Sequence, residues 1–315
     1  MKNGLTFSMI FEAQSANYGE GFGNISTLKK LTRSDGKTYT YISRQAIRYN
    51  IINQLKWDNT PVMGSNKRKI KDDKNTEEKQ NLSDAKAKGV IQFAPLANIK
   101  DYPEIDLFGY MKTKTKSSGG NGADTRSAVV RLSNAVSLEE YNSDMDFLNN
   151  MGLAKRINLT SDAMVQNEIH KSMYSYTITV DLDRIGIDKN SSIEIDNGEK
   201  AKRVKMFLEA VEFLYRDIKG RRENLNPIFV MGGLYERKNP YFEDRLQIKK
   251  GCLNIDLLKD IIQSCEDTKN NTLIGCVKEK FGNPQEIEAL GSESVSSFFE
   301  KMKEEVDAYY ESYKD

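Results

Sequence analysis

The segment MYSYTITVDLDRIG, residues 173–186, carries the strongest period-two pattern in the chain, with Tyr174, Tyr176, Ile178 and Val180 on one face. A strand with that much apolar surface on one side has to bury it against a second layer. Other segments supply partners for it. LTFSMIFEA (5–13) reads as a strand, SAVVRLSNAVS (127–137) alternates well enough to be a second core strand, and NPIFVMGGLYER (226–237) reads as a strand broken by Gly232 and Gly233. Two helices lie between them. Ser43 suits an N-cap, and Ile47, Ile51 and Leu55 form a stripe at four-residue spacing, which predicts a helix over 43–56. GEKAKRVKMFLEAVEFLYRDI predicts a longer amphipathic helix over 198–218.

The order of these elements is βαββαβ, an α+β pattern with the ferredoxin-like sequence of elements that RNA-recognition motifs also use. Two helices then cover one face of a four-stranded antiparallel sheet, and the other face stays free for partners. Two stretches interrupt the pattern. Residues 58–90 are nearly all charged or polar and read as a solvated insertion. Residues 138–172 are mixed, with helical hints and no strong strand. A glycine-dotted loop, NYGEGFGN, precedes a polar hairpin-like stretch with SDG as its turn. DLFGYM reads as a short strand followed by a basic loop, KTKTKSSGGNGADTR, and 253–313 read as helices with short loops.

At 315 residues the chain suits one large domain with insertions or two smaller ones. Charged residues make up 30% of it, yet the formal net charge is only +1, so any case for a polyanionic partner rests on local clustering. With no apolar run of membrane-spanning length and no secretory leader pattern, a soluble, reduced, cytoplasmic protein is expected. The three cysteines, Cys252, Cys265 and Cys276, have no CxxC spacing, and there is one histidine, so neither a zinc cage nor any other cofactor is expected.

Motifs for catalysis are weak. DGKT at 35–38 invites a phosphate-binding loop, but Leu31 stands where that loop needs its first glycine. His170 lies in a polar segment and reads as a surface histidine. Asp181 and Asp183 share one side of a strand end, where aspartates more often begin turns than hold metals. The basic set is more pointed. Arg44 and Arg48 stand on one face at the start of a helix, where free N–H groups favour anions despite the mutual repulsion of the pair. Gln14, Ser15 and Asn17 follow the first strand, Lys112, Lys114 and Lys116 follow DLFGYM, and Arg126 and Arg131 flank the second core strand. Amide and hydroxyl groups beside Arg and Lys suit phosphate and sugar contacts.

Taken together, LTFSMIFEAQSAN, YISRQAIRYNI, DLFGYM, RSAVVRLSNAVS and NPIFVMGGLYER, in this order over residues 5–240, resemble the DevR-type backbone subunit of a type I-B CRISPR interference complex (Cascade), a member of the repeat-associated mysterious protein group. The resemblance implies a modified RNA-recognition-motif palm (1–56, 105–137 and 173–240) with a fingers insertion at 57–104 and a thumb at 138–172. A helical C-terminal extension, 241–315, carries little of it. It further implies a non-catalytic protein whose copies stack along one CRISPR guide RNA, in contact with the target DNA strand and with other Cascade subunits. A Ser-x-Gln-x-x-basic pattern touches guide phosphates in such subunits, and here it falls on Ser43, Gln45 and Arg48, next to Arg44. Phe147, Leu148 and Met151 are the thumb's candidate apolar wedge, although packing within a helix core explains them equally well. Two alternatives remain. One is an RNA-cleaving backbone of the type III kind, which would use Asp35; the other is a free-standing RNA-binding regulator.

Overall fold

The computed structural model describes residues 2–19, 21, 23–64, 91–113, 123–149, 151–158 and 164–312. Its main sheet is built from β1 (Gly4–Ala13), β2 (Lys30–Thr32), β3 (Thr38–Ile42), β4 (Val130–Leu132), β5 (Ala135–Ser137), β6 (Ser172–Asp181), β7 (Phe229–Tyr235) and β8 (Leu273–Cys276). The strands lie in the order β8-β7-β1-β6-β5-β3-β2, with β4 also paired to β6. All these pairings are antiparallel. The centre is β1 against β6, in register from Gly4 opposite Asp181 to Ala13 opposite Ser172.

Alternation decides which side chains meet. Leu5, Phe7, Met9 and Phe11 of β1 and Tyr174, Tyr176, Ile178 and Val180 of β6 all enter one core. Three helices cover that face: α1 (Arg44–Leu55), α2 (Asn197–Glu212) and α3 (Val295–Ser312). They contribute Ile47 and Ile51, Val204 and Phe207, and Phe298, Phe299 and Met302. The Phe7 ring sits 6.1 Å from Phe298 and 6.0 Å from Phe299. Each fully buried side chain of this size contributes about 1.5–3 kcal/mol.

The opposite face is not free along its length, contrary to the sequence expectation. Ile10, Phe229, Met231 and Tyr235 pack with Phe242, Leu246, Leu253, Leu258 and Phe281 of the C-terminal region in a second core. That region is not purely helical either: β8 extends the sheet at the edge of β7. β7 is continuous through Gly232 and Gly233, because a Cβ at Gly232 would stand 2.2 Å from the Thr6 carbonyl oxygen. Glycine here permits close strand approach instead of ending the strand.

Other boundaries also move. The segment read as one strand over 127–137 divides into β4 and β5 around Ser133–Asn134. DLFGYM is the end of a helix, Pro103–Phe108, followed by a strand from Tyr110. Gly109, at φ +72°, makes the turn where a Cβ would meet the Arg126 carbonyl at 2.3 Å. On the buried side of that helix Asp106 is fully buried and accepts from Arg126 at 2.8 Å, Arg203 at 3.0 Å and the Gly186 N–H at 2.9 Å. Most of the polar insertion, 65–90, lies outside the described residues; its flanks, Val62–Gly64 and Ile91–Phe93, pair as a hairpin. The 138–172 stretch contains a real strand pair, Asp144–Leu148 with Val165–Ile169, and a short helix, Met151–Arg156.

Candidate nucleic-acid interface

The exit of β1 and the start of α1 are tied together by side chains. Asn17 Oδ1 accepts from the Ser43 N–H at 3.2 Å and from its hydroxyl at 2.7 Å. Ser43 is the N-cap that the sequence indicates: its backbone is extended and its Oγ accepts from the Ala46 N–H at 3.3 Å. Asn134, at the break between β4 and β5, accepts the Arg44 N–H at 2.9 Å. Among the described residues, the Gln45 N–H has no protein acceptor, and the side chains of Arg44 and Gln45 are exposed. A helix end with a free N–H and a free guanidinium attracts anions. Arg48 differs. It donates to Glu104 at 3.1 Å and lies over the Phe108 ring at 4.9 Å, so the repulsion from Arg44 is offset inside the protein.

A second basic element reaches the same exit. Tyr215–Ile218 and Arg221–Asn224 form a hairpin where the sequence predicted the last turn of a helix. Its buried Glu223 accepts from the N–H groups of Gln14 and Ser15, at 2.7 and 3.3 Å, and from both Arg216 and Arg221. Arg216 also donates to the Ser15 and Ala16 carbonyls. Arg221 donates to Gln14 Oε1 at 2.7 Å and Ser15 Oγ at 3.0 Å, while its side chain stays 39% exposed. Lys219, at the hairpin tip, lies 4.6 Å from the Tyr18 ring and donates to Asn167 at 2.9 Å. Residues 217–222 line a shallow pocket of about 500 Å³. Sequence reasoning missed this hairpin, although Lys-Gly between two short polar runs is its turn signal.

Beside it stands the 144–169 strand pair, anchored by Glu168, which accepts from Lys30 at 2.6 Å and from the Leu28 N–H at 2.7 Å. Phe147 is 60% exposed, and Leu148 and Met151 are exposed to a lesser degree, at 45% and 36%. In the Met151–Arg156 helix only Ala154 is buried, which removes core packing as the reason for Met151.

The remaining sequence candidates lie elsewhere. Lys112 is buried, donates to the Ala97 carbonyl at 2.7 Å and lies over the Tyr110 ring. Arg126 is buried on Asp106, and desolvation lowers its pKa. Arg131 makes a two-pronged pair with Asp181 at 3.0 and 2.8 Å. Lys114 and Lys116 fall outside the described residues. Asp181 is further held by Arg184, and Asp183 by Lys238, so the two aspartates face different cations. Among the described residues no group of three or more His, Cys, Asp or Glu is arranged to hold a metal. Asp35 closes the β2–β3 turn, accepting from the Lys37 N–H at 2.9 Å and the Tyr39 hydroxyl at 2.8 Å, and these bonds lower its pKa. His170 is not a surface residue. It is 7% exposed, with Nδ1 at 2.8 Å from Thr40 Oγ1 and its ring edge-on to Tyr141 and Tyr174. Among the described residues, no helix is long and apolar enough to cross a membrane.

The fold has solved counterparts. A chain of a CRISPR RNA-guided surveillance complex in a pre-nicking state is similar at TM-score 0.58 and 14% identity, over 91% of this chain and 98% of that one. A chain of another CRISPR RNA-guided surveillance complex is similar at TM-score 0.52 and 16% identity, with the same coverage. At these identities the likeness is one of fold. None of the curated proteins matches the chain. A family model described as CRISPR-associated negative auto-regulator DevR/Csa2 matches residues 5–242, so the chain belongs to the DevR/Csa2 family of CRISPR-associated proteins.

Proposed function

We propose that this protein is a non-catalytic backbone subunit of a type I-B Cascade-like effector in the cytoplasm, holding a guide RNA without regard to its sequence. One observation carries the reading. The α1 N-terminus with Arg44 and Gln45, the Gln14–Asn17 exit of β1, and the Lys219–Arg222 hairpin are joined by direct hydrogen bonds, and a strand pair that exposes Phe147 and Leu148 stands against them through Asn167. These donors suit phosphate and sugar oxygens, which position a strand without reading its bases. Within the eight-stranded sheet, β7-β1-β6-β5 is the fourth-first-third-second order of a βαββαβ palm, in keeping with a ferredoxin-like, RNA-recognition-motif-like core. Several copies would line one guide, each exposed Phe147–Met151 patch reaching toward the RNA of its neighbour, with the target DNA strand pairing to the guide and other subunits capping the row.

The cleavage alternative has less support. The Asp35 carboxylate is already engaged by Lys37 and Tyr39, and its lowered pKa suits a turn-closing anion better than a base. Labelled single-stranded RNA, incubated with the protein and Mg²⁺ and run on native and denaturing gels, separates the readings. Stepwise shifts with intact RNA are expected. Shortened RNA that stays whole with Asp35→Ala would replace this proposal with the nuclease. A shift confined to one sequence would favour the regulator.

A further inference from the structure

Glu223 joins parts of the chain some two hundred residues apart. Its Oε1 accepts from the Gln14 and Ser15 N–H groups and from Arg221 Nη2 at 2.7 Å, while Oε2 accepts from Arg216 Nε at 2.8 Å and Nη2 at 2.6 Å. Both Glu223 and Arg216 are buried, at 8% and 5% exposure. Arg221 is the outer member of the triad. One carboxylate between two guanidiniums leaves a net positive charge, and the exposed Arg221 side chain is where that charge meets solvent. Of its five N–H bonds, Arg221 uses three on Gln14, Ser15 and Glu223, so two remain to donate outward. From Gln14 the order passes along the chain to Asn17 and so to the Ser43 cap of α1.

We infer that Glu223 is a positioning residue for the RNA interface: paired with Arg216, it fixes Arg221 beside Gln14 and Ser15 so that its outward N–H groups face a phosphate. This rests on the RNA-binding reading above. An arginine already held in place loses less freedom when it engages an anion, and charge-assisted bonds are sensitive to aim.

A double-mutant cycle tests it. Arg216→Met with Glu223→Gln removes the buried pair and leaves the net charge unchanged, while Arg221 remains. In the wild-type background Arg221→Ala should weaken binding of a single-stranded RNA about tenfold and lower the log–log salt slope by about one. In the double variant the same substitution should change neither. The cycle is run well below the melting temperature, where a merely structural role would lower stability but leave the effect of Arg221→Ala the same in both backgrounds. That additivity would overturn the inference while leaving the RNA-binding reading intact; wild-type protein that fails to shift the RNA would overturn both. If the double variant does not fold, Glu223→Asp, one methylene short of spanning both arginines, takes its place in the cycle with the same two outcomes.

Discussion

Arg44 and Arg48 stand one turn apart on the same helix, and the fold treats them differently. Arg44 points into solvent, whereas Arg48 is shared with Glu104 and Phe108. Arg44→Glu should therefore weaken RNA binding across sequences and reduce the salt slope by about one. Arg48→Ala should lower thermal stability by about 1 kcal/mol and change the salt slope less. Equal slopes for the two variants, measured by fluorescence anisotropy across a salt series, would contradict this division. His170 gives a pH signature. Burial lowers its pKa below the usual 6.5, against the opposing pull of Glu139, Asp144 and the Glu140 backbone. The unfolded chain therefore takes up the proton first as pH falls through about 6.5; the contribution of His170 to stability is complete above that pH and shrinks below it until the folded pKa is reached. Thermal unfolding between about pH 7.5 and 5.5 should steepen in its decline on the acid side, and His170→Gln should flatten that part of the curve. An unchanged curve would count against it. The Ser43 cap was readable in the sequence because capping is local. The burial of His170, Lys112 and Arg126 was not, because their partners Thr40, Ala97 and Asp106 are brought to them by the fold.

At the level of elements, period explains both what sequence pattern revealed and what it hid. The ten-residue strands β1 and β6 are legible because each carries several repeats, β6 alternating from Tyr174 to Val180 and β1 from Leu5 to Met9 before the apolar run through Phe11. Strands of three to five residues carry too few repeats, so the β4–β5 break, the Asp144–Leu148 and Val165–Ile169 pair and the 215–224 hairpin are not legible in the pattern. In the sequence the start of the hairpin merges with the preceding helix because Phe213, Leu214 and Tyr215 continue its apolar pattern. The C-terminal helix shows a different limit. Its own pattern was clear, but nothing in it says which layer it covers. Because Phe298, Phe299, Met302 and Val306 complete the core under β1, α3 belongs to the main sheet's core in energetic terms. Phe299→Ala should cost about 3–5 kcal/mol, and a chain ending before Val295 should lose cooperative unfolding in denaturant. Two-state unfolding of that shortened chain would show the helix to be an appendage.

Over the whole molecule, one sheet face is closed by three helices and much of the other by the 241–290 region, which leaves the rim as the place for a long ligand. Along that rim lie the β1 exit, the α1 N-terminus and the Glu223 hairpin, with the apolar Phe147–Met151 patch beside them. The net charge of +1 hides this arrangement, since among the described residues cations such as Arg126, Arg131 and Arg203 are matched by carboxylates within the fold. Such a rim suits the proposed sequence-independent binding of RNA by many copies. The most direct test of that binding is sedimentation velocity of the protein with two unrelated single-stranded RNAs, each at two lengths and at moderate salt. Equal affinities for the two sequences are expected, with a number of bound copies that rises with RNA length. A single bound copy at both lengths, or binding to only one of the sequences, would contradict it.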